Sequence, residues 1–174
     1  MRLFIAINFP NEIKALIAKV RDDLKTSADR GNFTFDANIH LTLVFIGECD
    51  TRQLQAIKSV IDDIPFSTFP LMLEKTGYFK RNGGDTWWVG LKESNPLSML
   101  QADLAGRLNQ KGFLIEDRKY TPHVTIGREV KMPAGFIKPE VQQAKFEVTS
   151  IELMKSERIN GKLAYTPMYS KIAN

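Results

Sequence analysis

The chain of 174 residues has a single cysteine, Cys49. An internal disulfide is therefore excluded, and packing must hold the fold, which suits a reducing cytoplasm. No apolar run approaches the roughly 18 residues of a membrane helix, so a spanning role is not expected. No block of five like charges occurs, which removes a basic tail. The chain also lacks a G-x-S-x-G elbow, a Walker loop, a G-x-G-x-x-G fingerprint and an H-E-x-x-H pair. No linker rich in Pro, Gly or Ser divides it, so residues 1–174 read as one two-lobed domain. Histidine is scarce as well: His40 and His123 are the only two.

What is present is ordinary in bulk. Apolar residues make up 43% and charged residues 25%, enough for a packed soluble domain. The net charge of +4 permits a polyanionic partner and helps attract one. The opening "MRLFIAINFPNEIK" is too short in apolar length, and too early broken by polar residues, for a leader; it reads as a first strand.

Periodicity then orders the chain. Residues 2–9 are β-rich. Ile13, Leu16, Ile17, Val20 and Leu24 recur at three and four, giving a helix over 11–25 with Asn11 as cap. Residues 26–38 are polar and read as a loop, and 39–47 as a strand. A helix follows over 50–64, opened by Asp50 and Gln53 at capping-box spacing. Strands over 69–79 and 86–92 flank the turn "KRNGGD", and a helix over 95–112 starts at Asn95-Pro96. After the strand 120–129, a loop leads to two last strands, 146–156 and 161–172, joined by an Asn-Gly hairpin. Strand, helix, strand thus occurs twice, each time ending in His-x-Thr, at positions 83 residues apart.

The motifs are "HLTL" and "HVTI". On a strand, alternate side chains share a face. His40 and Thr42 then point one way and Leu41 and Leu43 the other; His123 and Thr125 oppose Val124 and Ile126 in the same manner. Packed about an approximate twofold, the two strands would present two imidazoles and two hydroxyls to one cleft. Two groups of ordinary pKa near 6.5 suit a reaction that needs a base and an acid together, and phosphodiester hydrolysis is one. The threonine hydroxyls would donate to non-bridging phosphoryl oxygens. Arg128 lies three places after Thr125, on the wrong face of an ideal strand, unless a bend at Gly127 returns it to the cleft. No cofactor and no metal is expected, because no His pair stands at ligand spacing.

These stretches, with "RLFIAINFP", "NIHLTLVFIGE", "YTPHVTIGRE" and "IELMKSERINGKLAYTPMYS", resemble the 2H phosphoesterases. The resemblance is to their LigT/ThpR-like branch of RNA 2′,3′-cyclic phosphodiesterases, historically named 2′-5′ RNA ligases. It implies an α+β, bilobal pseudo-twofold fold, two antiparallel sheets facing a central groove with helices packed outside. It implies metal-independent opening of an RNA terminal 2′,3′-cyclic phosphate to a 2′-phosphate, with 2′-5′ ligation in some relatives. By analogy His40 is the general acid to the leaving 3′-oxygen and His123 the base for water. Thr42 and Thr125 line the groove, and Arg128 holds phosphate; Gly127 departs from the larger residue that relatives often carry there. Phe45 matches an aromatic that follows the first motif, with core packing as the competing role on an ideal strand. Lys80 and Arg81 sit among aromatics in "GYFKRNGGDTWW", where base stacking and phosphate contact compete with a plain hairpin. The expected partners are RNA ends with a 2′,3′-cyclic phosphate and nucleotides, with no membrane and no obligate protein partner, for a cytoplasmic monomer. Two alternatives fit the same motifs: a phosphodiesterase for small cyclic nucleotides or an ADP-ribose cyclic phosphate, and a non-catalytic RNA-end binder.

Overall fold

A computed structural model describes residues 1–174. It contains nine strands and three helices in the order β1 (Arg2–Ile7), α1 (Asn11–Ser27), β2 (Arg30–Phe33), β3 (Leu41–Glu48), α2 (Thr51–Asp63), β4 (Phe69–Phe79), β5 (Asp85–Leu91), α3 (Asn95–Gln110), β6 (His123–Lys131), β7 (Lys145–Val148), β8 (Ser150–Ile159) and β9 (Lys162–Ile172). One sheet has the order β3-β1-β8-β9 and the other β2-β6-β5-β4-β7, and every pairing is antiparallel. The class is α+β. Setting β2 aside, the two orders match strand for strand, with β3 in the place of β6 and β1 in the place of β5. The repeated strand-helix-strand units therefore occupy equivalent positions, with each histidine motif on the equivalent strand.

Each helix buries one stripe. In α1 it is Ile13, Ile17, Val20 and Leu24; in α2, Leu54, Ile57, Val60 and Ile61; in α3, Leu97, Leu100, Leu104 and Leu108. These join strand residues such as Leu3, Ile5, Leu41, Trp87, Val124 and Ile126 in one core of 37 buried residues. Each such side chain contributes about 1.5–3 kcal/mol on burial. The capping box of α2 forms as expected, with Asp50 accepting from the Gln53 amide and Gln53 from the Asp50 amide. The hairpin between β8 and β9 turns on Asn160 and Gly161, both at positive φ (52° and 77°), the conformation for which Asn-Gly is suited.

Four expectations are corrected. Residues 26–38 are not all loop: β2 pairs with β6, and Asp36–Asn38 form a short 3₁₀ turn. The segment 146–156 is not one strand: β7 pairs with β4 in one sheet and β8 with β1 in the other, the chain changing sheets at Thr149. Asn11 is the first residue of α1 and not its cap, because Pro10 precedes it in extended geometry. Ser94, not Asn95, caps α3, its hydroxyl accepting from the Leu97 amide.

Candidate active site

The first motif lies on the edge strand β3, and Tyr165 of the opposite edge strand, β9, reaches its histidine. Leu41 and Leu43 are buried in the core and Thr42 stands on the other face, beside its antiparallel partner Ala6. His40 immediately precedes β3. Its ring lies 5.0 Å from Phe4 and 4.9 Å, edge-on, from Tyr165 of β9. Nδ1 donates to the Asn38 carbonyl at 2.7 Å. That bond fixes the tautomer, so Nε2 carries the lone pair and receives the Thr42 hydroxyl at 2.8 Å. Asn38 is itself buried, its amide donating to the Leu163 carbonyl at 2.9 Å, which anchors the carbonyl that orients His40.

The second motif repeats the arrangement. Val124 and Ile126 are buried, and His123 Nδ1 donates to the Thr121 carbonyl at 2.7 Å. The Phe79 ring meets the His123 ring edge-on at 5.0 Å. In both lobes the histidine is bonded through Nδ1 to the carbonyl two residues back, leaving Nε2 for the groove.

Bulges complete the site. On β6, Thr125 pairs with Trp88 and Gly127 with Trp87, so one step on β5 meets two on β6. The extra residue restores Arg128 to the face of Thr125, and its charge acts on both histidines. Gly127 permits this: a Cβ there would lie 2.8 Å from Val130 Cγ2 and 3.2 Å from Phe33 Cδ1. On β3, Val44 pairs with Ile5 and Thr42 with Ala6, again two steps against one. Phe45 therefore shares the face of Thr42 and Phe4. It is 49% exposed with the Arg2 guanidinium 5.0 Å above its ring, so core packing is not its role. Positions three after each threonine thus carry a cation on one lobe and an aromatic on the other.

Arg81 stands over the Phe79 ring at 5.5 Å, and the cations whose charge acts on His123 are Arg128 and Arg118. Lys80 is exposed on the same hairpin. The hairpin is also the plain one expected, with Trp87 buried in the core. Trp88 turns to the groove face and lies flat on Gly77 and Gly90, where a Cβ would come within 2.2 Å and 2.9 Å of the indole. Sequence reasoning did not single out Trp88, Tyr165 or Asn38; for Asn38 the only signal was its place two residues before His40.

Electrostatics separate the two histidines. Burial, then the positive charges of Arg128, His123 and Lys14, lower the His40 pKa to about 4, against the opposing bond to Asn38. Burial, then Arg128 and Arg118, also lower His123. Burial thus favours the neutral imidazole at both positions, most strongly at His40. No cluster of His, Cys, Asp or Glu has the makings of a metal site. A surface hollow of about 640 Å³ lies away from the histidines, between Pro65–Phe69 and α3, and presents Met99 and Leu100 with no acid-base pair.

Residues 9–160 match the family model described as the 2′-5′ RNA ligase superfamily. A Thermotoga maritima protein named RNA 2′,3′-cyclic phosphodiesterase is 32% identical over 131 residues, covering 74% of this chain and 70% of its own. A Methanocaldococcus jannaschii protein of the same name is 30% identical and covers 90% of this chain and 91% of its own. The crystal structure of Escherichia coli LigT complexed with 3′-AMP superposes with a TM-score of 0.88 at 28% identity, over 99% of this chain and 97% of that one.

Proposed function

Since the chain belongs to the 2′-5′ RNA ligase superfamily, we propose that its groove hydrolyses the terminal 2′,3′-cyclic phosphate of RNA to a 2′-phosphate. The observation that carries this reading is the paired arrangement itself: two histidines held alike through Nδ1, two threonines and one arginine facing a common space. His123 Nε2 takes a proton from water as the water oxygen bonds to phosphorus. The P–O3′ bond breaks, and His40 Nε2 gives its proton to O3′. Thr42, Thr125 and Arg128 hold the non-bridging oxygens, so acid, base and charge stabilisation all come from side chains. The bound phosphate takes over the Thr42 hydroxyl, and its negative charge opposes that of Arg128, which raises His40 into the range where it holds a proton. Phe45 with Arg2 on one lobe and Phe79 against His123 on the other flank the phosphate position and suit a nucleobase, with Arg81 over Phe79 available to a more distant phosphate. A 5′-hydroxyl in place of water would give a 2′-5′ linkage by the same steps. We take the protein to act on RNA ends and nucleotides as a monomer in the cytoplasm.

One observation favours a second order of roles. The pKa of about 4 at His40 suits a base, with His123 then the acid. A substrate with a nitrophenolate leaving group needs no acid, so the acid variant keeps activity on it and the base variant does not. We expect His40→Ala to hydrolyse a nitrophenyl phosphodiester far better, relative to parent, than it opens a cyclic phosphate. The reverse pattern, with His123→Ala rescued, would establish the second order. A 3′-phosphate product from an oligonucleotide would overturn the first outright.

A further inference from the structure

Two hydroxyls that no step of the reaction uses meet the two motifs. The Tyr120 phenol donates to the Thr42 carbonyl at 2.9 Å, and the Thr34 hydroxyl donates to the Thr125 carbonyl at 3.0 Å. The bonds are reciprocal. Tyr120 lies three residues before His123 and grips the strand of the first motif. Thr34 lies six residues before His40 and grips the strand of the second. Each approach to one histidine is thus tied to the threonine of the other. Both donors are themselves held. Tyr120 packs against the core, and burial pushes its phenol well above the usual range, so it stays a protonated donor. The Thr34 amide bonds the Ile126 carbonyl at 3.0 Å, and the Arg21 guanidinium donates to the Thr34 carbonyl at 2.7 Å.

Apart from the β2–β6 ladder and the Thr34 amide, the lobes share one apolar core, and apolar packing fixes volume better than it fixes direction. A hydrogen bond from a short, anchored side chain fixes both distance and angle. In-line displacement needs the attacking and leaving oxygens on opposite sides of phosphorus, so the two Nε2 atoms must keep a set separation. A displacement of about 1 Å costs on the order of 100-fold in rate.

From this we infer that Tyr120 and Thr34 are positioning residues, a reciprocal brace that sets the spacing of His40 and His123. The inference rests on the two-histidine reading of the groove for its kinetics, though not for its geometry.

The test uses Tyr120→Phe and Thr34→Val, which remove the hydroxyls and little volume, and Thr34→Ser, which keeps one. On an oligonucleotide ending in a cyclic phosphate, the first two are expected to lower kcat about 10-fold with KM within about threefold, and Thr34→Ser to match the parent. Histidine titrations by NMR, which need no turnover, are expected to move for the first two variants and stay in place for Thr34→Ser. Unchanged kcat and unchanged titrations in both would overturn the brace. So would a loss of kcat in Thr34→Ser equal to that in Thr34→Val, or a loss regained on cooling in step with refolding. If the parent itself opens no cyclic phosphate while the titrations move as expected, the functional reading fails and the brace stands.

Discussion

His40 and His123 make the same bond through Nδ1 yet sit at different depths, and their chemistry should differ accordingly. The unfolded chain binds a proton at His40 near pH 6.5, whereas the folded one refuses it until about pH 4. Stability is therefore full above pH 6.5 and falls as pH drops from 6.5 to 4, by about 3 kcal/mol from this residue. Urea denaturation across that range should show the decline, and His40→Gln should flatten it. Inorganic phosphate should raise His40, so proton uptake accompanies binding, and phosphate affinity increases from pH 8 to pH 6; calorimetry in two buffers measures this. Arg128 lowers both histidines, so Arg128→Ala should raise both titrations while weakening phosphate at least 10-fold. Unchanged titrations in that variant would place the guanidinium outside the groove.

Strand bulges decide which residues reach the site. The Gly127→Leu variant should cost about 1–3 kcal/mol, because Phe33 and Val130 already fill the space, and should move Arg128. Chemical denaturation checks the first effect and phosphate binding the second. Elements with strong local signals were legible in the chain: the three helical stripes, the Asp50–Gln53 cap, the Asn160–Gly161 hairpin and the alternation of both motifs. β2 was not, because "RGNF" has no apolar alternation and owes its strand form to pairing with β6. The sheet change at Thr149 left one trace, a step of three between buried Val148 and Ile151 where a strand would give two. Phe45 was misplaced for a related reason. Alternation from Thr42 puts it on the far face, and only the bulge at Leu43 brings it back.

At the scale of the whole molecule, the pseudo-twofold makes one groove from two copies of a unit and then differentiates the copies. The equivalent positions hold Phe45 and Arg128, so under the proposed function phosphate and base would take different sides of the groove. The histidines and threonines were legible as a set because each motif repeats within the same strand-helix-strand order. The tie of Tyr120 to Thr42, 78 residues apart, was not, since nothing local records it. Arg2, Arg118 and Arg128, whose charges act on Tyr165 and the histidines, should make oligonucleotide KM rise with salt more steeply than that of a cyclic mononucleotide, which meets fewer cations. Equal slopes would confine recognition to the terminal phosphate.

The central claim is that two histidines act together on one phosphate with no metal between them. The direct measurement is single-turnover opening of an oligonucleotide 2′,3′-cyclic phosphate in the presence of a chelator, by the parent, His40→Ala and His123→Ala. The account predicts a 2′-phosphate from the parent and a loss of at least 1,000-fold in each variant, about 4 kcal/mol or more of transition-state stabilisation. Near-parental rates in either variant, or activity that returns only with added metal, would contradict it.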